Sequence, residues 1–250
     1  MLKINAVPCF DDNYIWVLHD DRAAIAVDPG AAAPLTAFLD QAGLRLQAIL
    51  LTHRHHDHVG GVAELNAAGT LRVYGPHGIA GVTHPLGDQD RFQLLGASFS
   101  VMAIPGHTRE HLAYLVGNAL FCGDTLFGCG CGRVFDDTWA EMFASLQKIA
   151  ELPDETLLYP AHEYTATNLR FARAVEPGNP ALDEREAVVT RLREQALPSL
   201  PSCLAIEKAC NPFLRCDMAD VVAAAQRNGA TQIDPESVFY ALRHWKDHFR

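Results

Sequence analysis

The seven residues Thr52-His53-Arg54-His55-His56-Asp57-His58 constrain this 250-residue chain more than any other stretch. They hold four of its twelve histidines beside one carboxylate. They follow Ala48-Ile49-Leu50-Leu51, a short apolar run of the kind that forms a buried strand. Neutral imidazole and carboxylate are ligands for zinc and its first-row neighbours, so the stretch predicts metal held at the edge of a sheet. In extended backbone His53 and His55 point to one side and can reach one ion. Asp57 and His58 come after the turn and can aim at a second, with Gly60 and Gly61 allowing tight backbone packing. Arg54 and His56 are expected to face away. A solvated loop would account for one chance histidine; it does not account for four beside an aspartate.

Length allows one large domain or two modest ones, with material for a core. With 49% apolar and 20% charged residues the composition is that of an ordinary soluble globular protein. No run approaches the roughly 18 apolar residues that cross a bilayer, and the first five residues lack the apolar core of a signal peptide. A cytoplasmic location without a membrane partner is expected. The formal net charge of −10 argues against a nucleic-acid partner, since phosphate contact relies on basic patches. It leaves room for a small anionic substrate met by a few local cations. Seven cysteines, odd in number, scattered and without a C-x-x-C pair, read as reduced thiols. Cys129 and Cys131 in their Gly-rich loop are read as packed thiols in preference to a soft-metal site.

The first part of the chain alternates short apolar runs with turns: strands are expected at 2–7, 14–18, 23–27, 71–74, 92–95, 98–104, 112–116, 119–122 and 156–159. Asp28-Pro29-Gly30 reads as a turn, 34–41 and 62–68 as helices, and 138–152 as a helix opened by the capping box Thr138-Trp139-Ala140-Glu141. Strands with helices between them predict a layered α/β arrangement. From residue 165 the pattern is helical, at 165–175, 180–195, 218–226 and 235–248. The last helix has Asp234 as N-cap and Pro235 at its first position. The expected division is a metal-binding catalytic domain over 1–165 and a smaller all-helical domain over 166–250.

Three more ligand-type residues share one setting, the small-residue turn that ends a predicted strand: His107, Asp124 and His162. Open sheets gather sites at strand ends. His53, His55 and His107 then supply three nitrogens to one ion, and Asp57, His58 and His162 supply three groups to another. Asp124 can bridge both. Neither ion is closed by protein alone, which is the signature of a catalytic site. Two divalent ions acidify a shared water and polarise a neighbouring carbonyl, so hydrolysis is the expected chemistry, with Asp57 and Asp124 positioning its reactants. His111 is read as core packing.

Thr-His-x-His-x-Asp-His with distant His, Asp and His resembles the metal motif of the metallo-β-lactamase fold. Within it the chain is similar to the glyoxalase II (hydroxyacylglutathione hydrolase) branch. The matching passages are Gly123-Asp124-Thr125-Leu126-Phe127, Gly130-Cys131-Gly132-Arg133, Ala161-His162-Glu163-Tyr164-Thr165, Asn168-Leu169-Arg170-Phe171-Ala172, Val175-Glu176-Pro177-Gly178-Asn179, Asn211-Pro212-Phe213-Leu214-Arg215 and Arg243-x-x-Lys246-Asp247-x-Phe249-Arg250. The resemblance spans nearly the whole chain. It implies an αββα sandwich followed by a helical domain, and two divalent metal ions with zinc foremost and iron or manganese as alternatives; a monomer is expected. It implies hydrolysis of S-D-lactoylglutathione to D-lactate and glutathione, the second step of methylglyoxal removal. The seven ligands are those above, and the glutathione contacts would be Arg133, Tyr164, Arg243 and Lys246. Glutathione carries two carboxylates, for which Arg and Lys are suitable clamps. Arg243, Lys246 and Arg250 form a local basic patch whose plainer reading is a solvated helix end. Phe135 stands where the family often has tyrosine, so one hydroxyl for glutathione is missing. The nearest rival is a mononuclear-iron glutathione persulfide dioxygenase using His53, His107 and Asp124. A β-lactamase fits less well because Asp124, not cysteine, holds the bridging position, and a non-catalytic metal-binding scaffold leaves the complete ligand set unexplained.

Overall fold

Runs of β-branched and aliphatic residues become strands where turn residues separate them, and strands buried on both faces lose their polar alternation. Ala23–Val27, Ala-Ala-Ile-Ala-Val, is buried throughout. The computed structural model describes residues 2–136 and 138–249, and these separate into two compact units that interleave along the sequence.

The first unit takes the chain up to Ala103, Glu110–Gly123 and Tyr159–His162. Its first sheet has the order β1 (Lys3–Cys9), β2 (Asn13–His19), β3 (Ala23–Val27), β4 (Arg45–Leu50), β5 (Arg72–Pro76) and β6 (His84–Leu86). The first three strands are antiparallel and the last four parallel. A parallel pair needs a crossover, and helix α1 (Ala32–Ala42) provides it between β3 and β4. Leu35 and Leu39 of α1 bury against Val7, Ile15, Val17 and Ala24, each contributing roughly 2 kcal/mol of apolar burial. After β4 come two single turns of helix, α2 (His56–Val59) and α3 (Val62–Leu65). The expected helix over 62–68 therefore stops early, at Asn66, whose side chain caps the chain by accepting the Leu71 amide at 2.9 Å. Strands β7 (Arg91–Leu94), β8 (Ala97–Ala103), β9 (Leu112–Val116) and β10 (Ala119–Gly123) form a second antiparallel set. Fully buried Tyr114 of β9 donates its hydroxyl to the Leu51 carbonyl just beyond β4, at 2.5 Å.

The second unit takes Ile104–Arg109, Asp124–Leu158 and the described residues from Glu163 onward. It opens with a hairpin, β11 (Leu126–Phe127) and β12 (Gly130–Cys131), and helix α4 (Trp139–Ala150). The expected capping box does not form: Thr138 is the N-cap residue but makes no side-chain cap bond, and its hydroxyl donates to the Gly106 carbonyl at 2.6 Å instead. A tertiary acceptor has outcompeted the local one. Strand β13 (Leu157–Pro160) passes from this unit into the first. The helices are α5 (Thr165–Val175), α6 (Pro180–Glu194), α7 (Leu204–Cys210, preceded by the short strand β14, Ser202–Cys203), α8 (Ala219–Arg227) and α9 (Pro235–His248). Four of these match the 3.6-residue periodicity; α7 sits in a Pro- and Ser-containing stretch that reads as connector. Asp234 caps α9 by accepting the Ser237 amide at 3.0 Å, with Pro235 at the first position as expected. Phe171, Phe213 and Phe239 form the aromatic centre of this unit, with ring centroids 5.9 and 6.0 Å apart. Among the described residues no helix is long and apolar enough to cross a membrane.

Candidate metal centre

Parallel pairing of β3 and β4 brings the residues beyond both strands to one edge, and there Asp28 organises the histidine stretch. Its Oδ1 accepts the Thr52 amide at 2.8 Å, and its Oδ2 accepts the Thr52 hydroxyl at 2.7 Å. His58 Nδ1 lies 3.0 Å from the same Oδ2. Asp28 has φ 52°, in the left-handed region that few residues but Gly, Asn and Asp enter. Two residues on, a Cβ at Gly30 would lie 2.0 Å from the Asp57 carbonyl oxygen, so the turn closes on the histidine stretch only without a side chain there.

Thr52, its proton committed to Asp28, meets His53 Nδ1 at 3.0 Å. That leaves His53 Nε2 pointing the other way, 3.0 Å from His55 Nδ1. His162, beyond β13, sets Nδ1 2.8 Å from Asp12 Oδ1 and Nε2 3.4 Å from Asp57 Oδ2. His58 Nε2 approaches that same Asp57 oxygen at 3.5 Å, and Asn13 donates to it at 3.0 Å. Ligand-capable atoms of Asp57, His58 and His162 all lie within 4.8 Å of one another. His53 and His58 are fully buried and His162 nearly so. In His58 and His162 one ring nitrogen faces a carboxylate, which fixes the other toward the shared centre, the arrangement by which outer residues orient metal-binding imidazoles. Burial pushes the Asp57 carboxyl up, but hydrogen bonds to His162, His58 and Asn13 outweigh it and hold the group far below the usual range. His111, read as core, is buried and stacks on His53 at 4.7 Å. Arg54 and His56 face outward as expected, and Arg54 pairs with Glu110 through both its amide and its guanidinium.

The remaining two expected ligands belong to the second unit. His107 Nε2 lies 3.4 Å from Asp124 Oδ2, and His107 Nδ1 lies 2.8 Å from the Arg133 carbonyl. Both are nearly buried. A Cβ at Gly132 would fall 1.9 Å from the Asp124 carbonyl oxygen, so glycine is needed for this approach.

The four expected substrate residues also lie in the second unit. Arg133 is exposed, and its Nε is 3.7 Å from Asp247. Tyr164 packs edge-on against Phe127 at 5.2 Å. Arg243 is only 3% exposed and donates Nη1 to the Cys131 carbonyl at 2.8 Å and Nη2 to Asp247 at 2.9 Å. Lys246 lies over the Phe171 ring at 5.1 Å. Burial, and then the charges of Arg243, Arg170 and Arg133, pull its ammonium down to about 8. Phe135 is 60% exposed, its ring edge-on to His107 at 5.2 Å. Arg250, the third member of the expected basic patch, lies outside the described residues.

Sequence reasoning missed the outer residues Asp28, Asp12 and Asn13. Asp28 carried a signal, a carboxylate directly after an apolar strand, but Asp-Pro-Gly reads first as a turn. Asp12 and Asn13 carry none.

Residues 10–162 match the metallo-beta-lactamase superfamily, and residues 163–249 match the hydroxyacylglutathione hydrolase C-terminus. The hydroxyacylglutathione hydrolase of Nitrosomonas eutropha is 51% identical over 255 residues, covering 100% of both chains. That of Dechloromonas aromatica is 51% identical over 265 residues, again covering 100% of each. Among solved structures, the BLEG-1 B3 metallo-beta-lactamase superposes with TM-score 0.63 at 24% identity, covering 86% of this chain and 99% of its own, a likeness of fold. That fold implies a pair of divalent metal ions, and the donors of the first unit fit one: the imidazole nitrogens of His58 and His162 and the Asp57 carboxylate, oriented from behind, lie within 4.8 Å of one another. Matched along its whole length, the chain belongs to the hydroxyacylglutathione hydrolase family, hydrolases that join the metallo-β-lactamase fold to a helical C-terminal region.

Proposed function

We propose that the chain hydrolyses S-(2-hydroxyacyl)glutathione thioesters, S-D-lactoylglutathione first among them, releasing D-lactate and glutathione in methylglyoxal removal. The observation that carries this reading is full-length identity of about half to enzymes bearing that name, together with the oriented donor set around Asp57. His53, His55 and His107 would hold one ion and Asp57, His58 and His162 the other, with Asp124 shared between them; zinc is the first candidate. Such a pair, when bound, supplies a water of lowered pKa and a Lewis acid for the thioester carbonyl. Asn13 keeps one Asp57 oxygen engaged, so the carboxylate holds its direction throughout. Asp28 and Asp12 keep His58 and His162 in one ring orientation. Glutathione is a tripeptide with two carboxylates, and we assign its recognition to Arg133, Lys246 and the Tyr164 hydroxyl. Arg243 shares in it chiefly by holding the Cys131 carbonyl and Asp247, to which its two Nη atoms are committed. The hydroxyl missing at Phe135 weakens that grip without changing the reaction. The departing thiolate is a good leaving group, so no side chain is required to protonate it. Seven free cysteines suit a reducing compartment, and we place the reaction in the cytoplasm, carried out by a monomer.

Thioester cleavage of S-D-lactoylglutathione by protein of measured metal content, with and without chelator, tests the reading. Metal-dependent release of glutathione is expected. Oxygen uptake with glutathione persulfide, and no thioester cleavage, would replace it with the dioxygenase.

A further inference from the structure

Cys129 and Cys210 are 81 residues apart in sequence, and their sulfurs are 3.3 Å apart. They sit inside the second unit among Leu169, Ala172, Leu182 and Val189. Glu207 completes the group: ligand-capable atoms of all three residues fall within 4.8 Å of one another, and all three residues are buried. The carboxylate is fixed by three donors. Oε2 accepts the Cys129 amide at 2.6 Å and Asn211 Nδ2 at 3.1 Å, and Oε1 accepts the Ser202 hydroxyl at 2.5 Å. None of these residues takes part in the hydrolysis described above.

We propose that Cys129, Cys210 and Glu207 form a buried two-electron redox site, in which a peroxide-class oxidant converts the thiols to a disulfide and the Glu207 carboxylate accepts the proton. A metal is the less fitting occupant. Two thiolates on one zinc, each at about 2.3 Å, stand roughly 3.8 Å apart, farther than these sulfurs. A disulfide needs closure by about 1.3 Å. Both ends are held for it. Cys129 is at the tip of the β11–β12 turn and Cys210 ends α7. The next residue, Asn211, donates its side-chain nitrogen to the Phe127 and Gly130 carbonyls at 3.2 and 3.0 Å. Held so close, the second thiol meets its partner at high effective concentration.

The chemistry balances within the group and one peroxide. Contact with Cys210, then burial, holds the Cys129 thiol protonated, so oxidation needs a base. Burial raises the Glu207 carboxyl, which makes its carboxylate a stronger one. Glu207 takes the proton of one thiol, and the thiolate sulfur attacks a peroxide oxygen. The O–O bond breaks, leaving a sulfenic acid and hydroxide, which recovers the proton from Glu207 as water. The second sulfur displaces hydroxide from the sulfenic sulfur, and its own proton leaves with that hydroxide as a second water. Two thiols and one hydrogen peroxide become one disulfide and two waters, with two electrons passing from sulfur to oxygen. The cross-link ties down the turn that carries Cys131, whose carbonyl receives Arg243.

The test treats the metal-loaded full chain with hydrogen peroxide, then denatures it, counts thiols, weighs it and maps its peptides. Seven thiols should fall to five, the two lost being Cys129 and Cys210. The mass should fall by about 2 Da, through a Cys129–Cys210 cross-linked peptide that dithiothreitol reverses. Closing an 81-residue loop should also raise Tm. Cys210→Ser should give a trappable sulfenic acid on Cys129 and no loss of mass, and Glu207→Gln should slow cross-linking by at least about tenfold. The wild-type map decides the pairing even where a variant fails to fold. Seven surviving thiols, or a cross-link joining other cysteines, would overturn the site. Glu207→Gln protein that folds and cross-links at the wild-type rate would overturn the role of the carboxylate.

Discussion

Asp28 accepts two hydrogen bonds from Thr52 and faces His58 Nδ1, so one carboxylate orients both His53, through the Thr52 hydroxyl, and His58. Asp28→Asn keeps the size but replaces one acceptor oxygen with a donor, leaving either the Thr52 amide, or the Thr52 hydroxyl and His58 together, without an acceptor. Metal affinity should drop about 10–100-fold, the usual cost of losing an outer partner, as read by competition against a chromophoric chelator. Affinity equal to wild type would show that the imidazoles hold their orientation unaided. Lys246 carries a different consequence, in pH. Its ammonium is pulled down to about 8 by burial and by the neighbouring guanidinium charges. Below that pH it is a cation for an anionic substrate; above it the cation is lost. The value of kcat/KM should therefore fall as pH rises through about 8, through KM more than kcat, and Lys246→Gln should flatten that limb. A limb that persists in the variant would assign the titration elsewhere.

Helices whose ends carry local chemistry were legible as elements, because cap, period and stop all lie within a few residues of one another. Asn179 is such an end: its Oδ1 accepts the Ala181 amide at 3.0 Å at the start of α6, with Pro180 at the first position. Its side-chain nitrogen also donates to the Ala209 carbonyl in α7, at 2.9 Å. Asn179→Ala should cost about 1 kcal/mol for the cap and about 1 kcal/mol more for the tie to α7, seen as a lowered midpoint in urea with an unchanged slope. A midpoint shift confined to the cap's share would mean that α7 is held by its apolar contacts alone. Helix α7 itself shows where local reading fails. At seven residues it is too short for a clear period, and Glu207, the residue that anchors it, bonds to Cys129 far away in sequence. Thr138 fails in the opposite sense, since the local signal is present and a distant carbonyl wins.

Across the whole molecule the candidate ligands stood out in the sequence, and the residues that the fold sets behind them did not, for one physical reason. Four imidazoles and a carboxylate in seven residues depart so far from ordinary loop composition that chemistry is the simplest cause. Asp12, Asn13 and Asp28 are ordinary polar residues until folding sets them behind or beside a candidate ligand. The same convergence ties metal to stability. Asp57, His58 and His162 are gathered from positions more than 100 residues apart only in the folded chain, so an ion binds that state far better than the unfolded one. Free metal at a thousand times its dissociation constant adds about 4 kcal/mol per site, less whatever the unfolded histidines and cysteines retain. At about 2–4 °C per kcal/mol for a chain of this size, one site corresponds to a shift of roughly 8–16 °C in Tm. Chelated protein should therefore melt at least about 8 °C below the metal-loaded form, with the zinc salt restoring both Tm and thioester cleavage. Because the chain divides into two compact units, the scan should be followed by a probe in each, Trp16 in the first and Trp139 in the second. Equal melting with and without metal, in both probes, would mean that the ligand cluster is no tighter a trap folded than unfolded, and the assigned centre would be wrong.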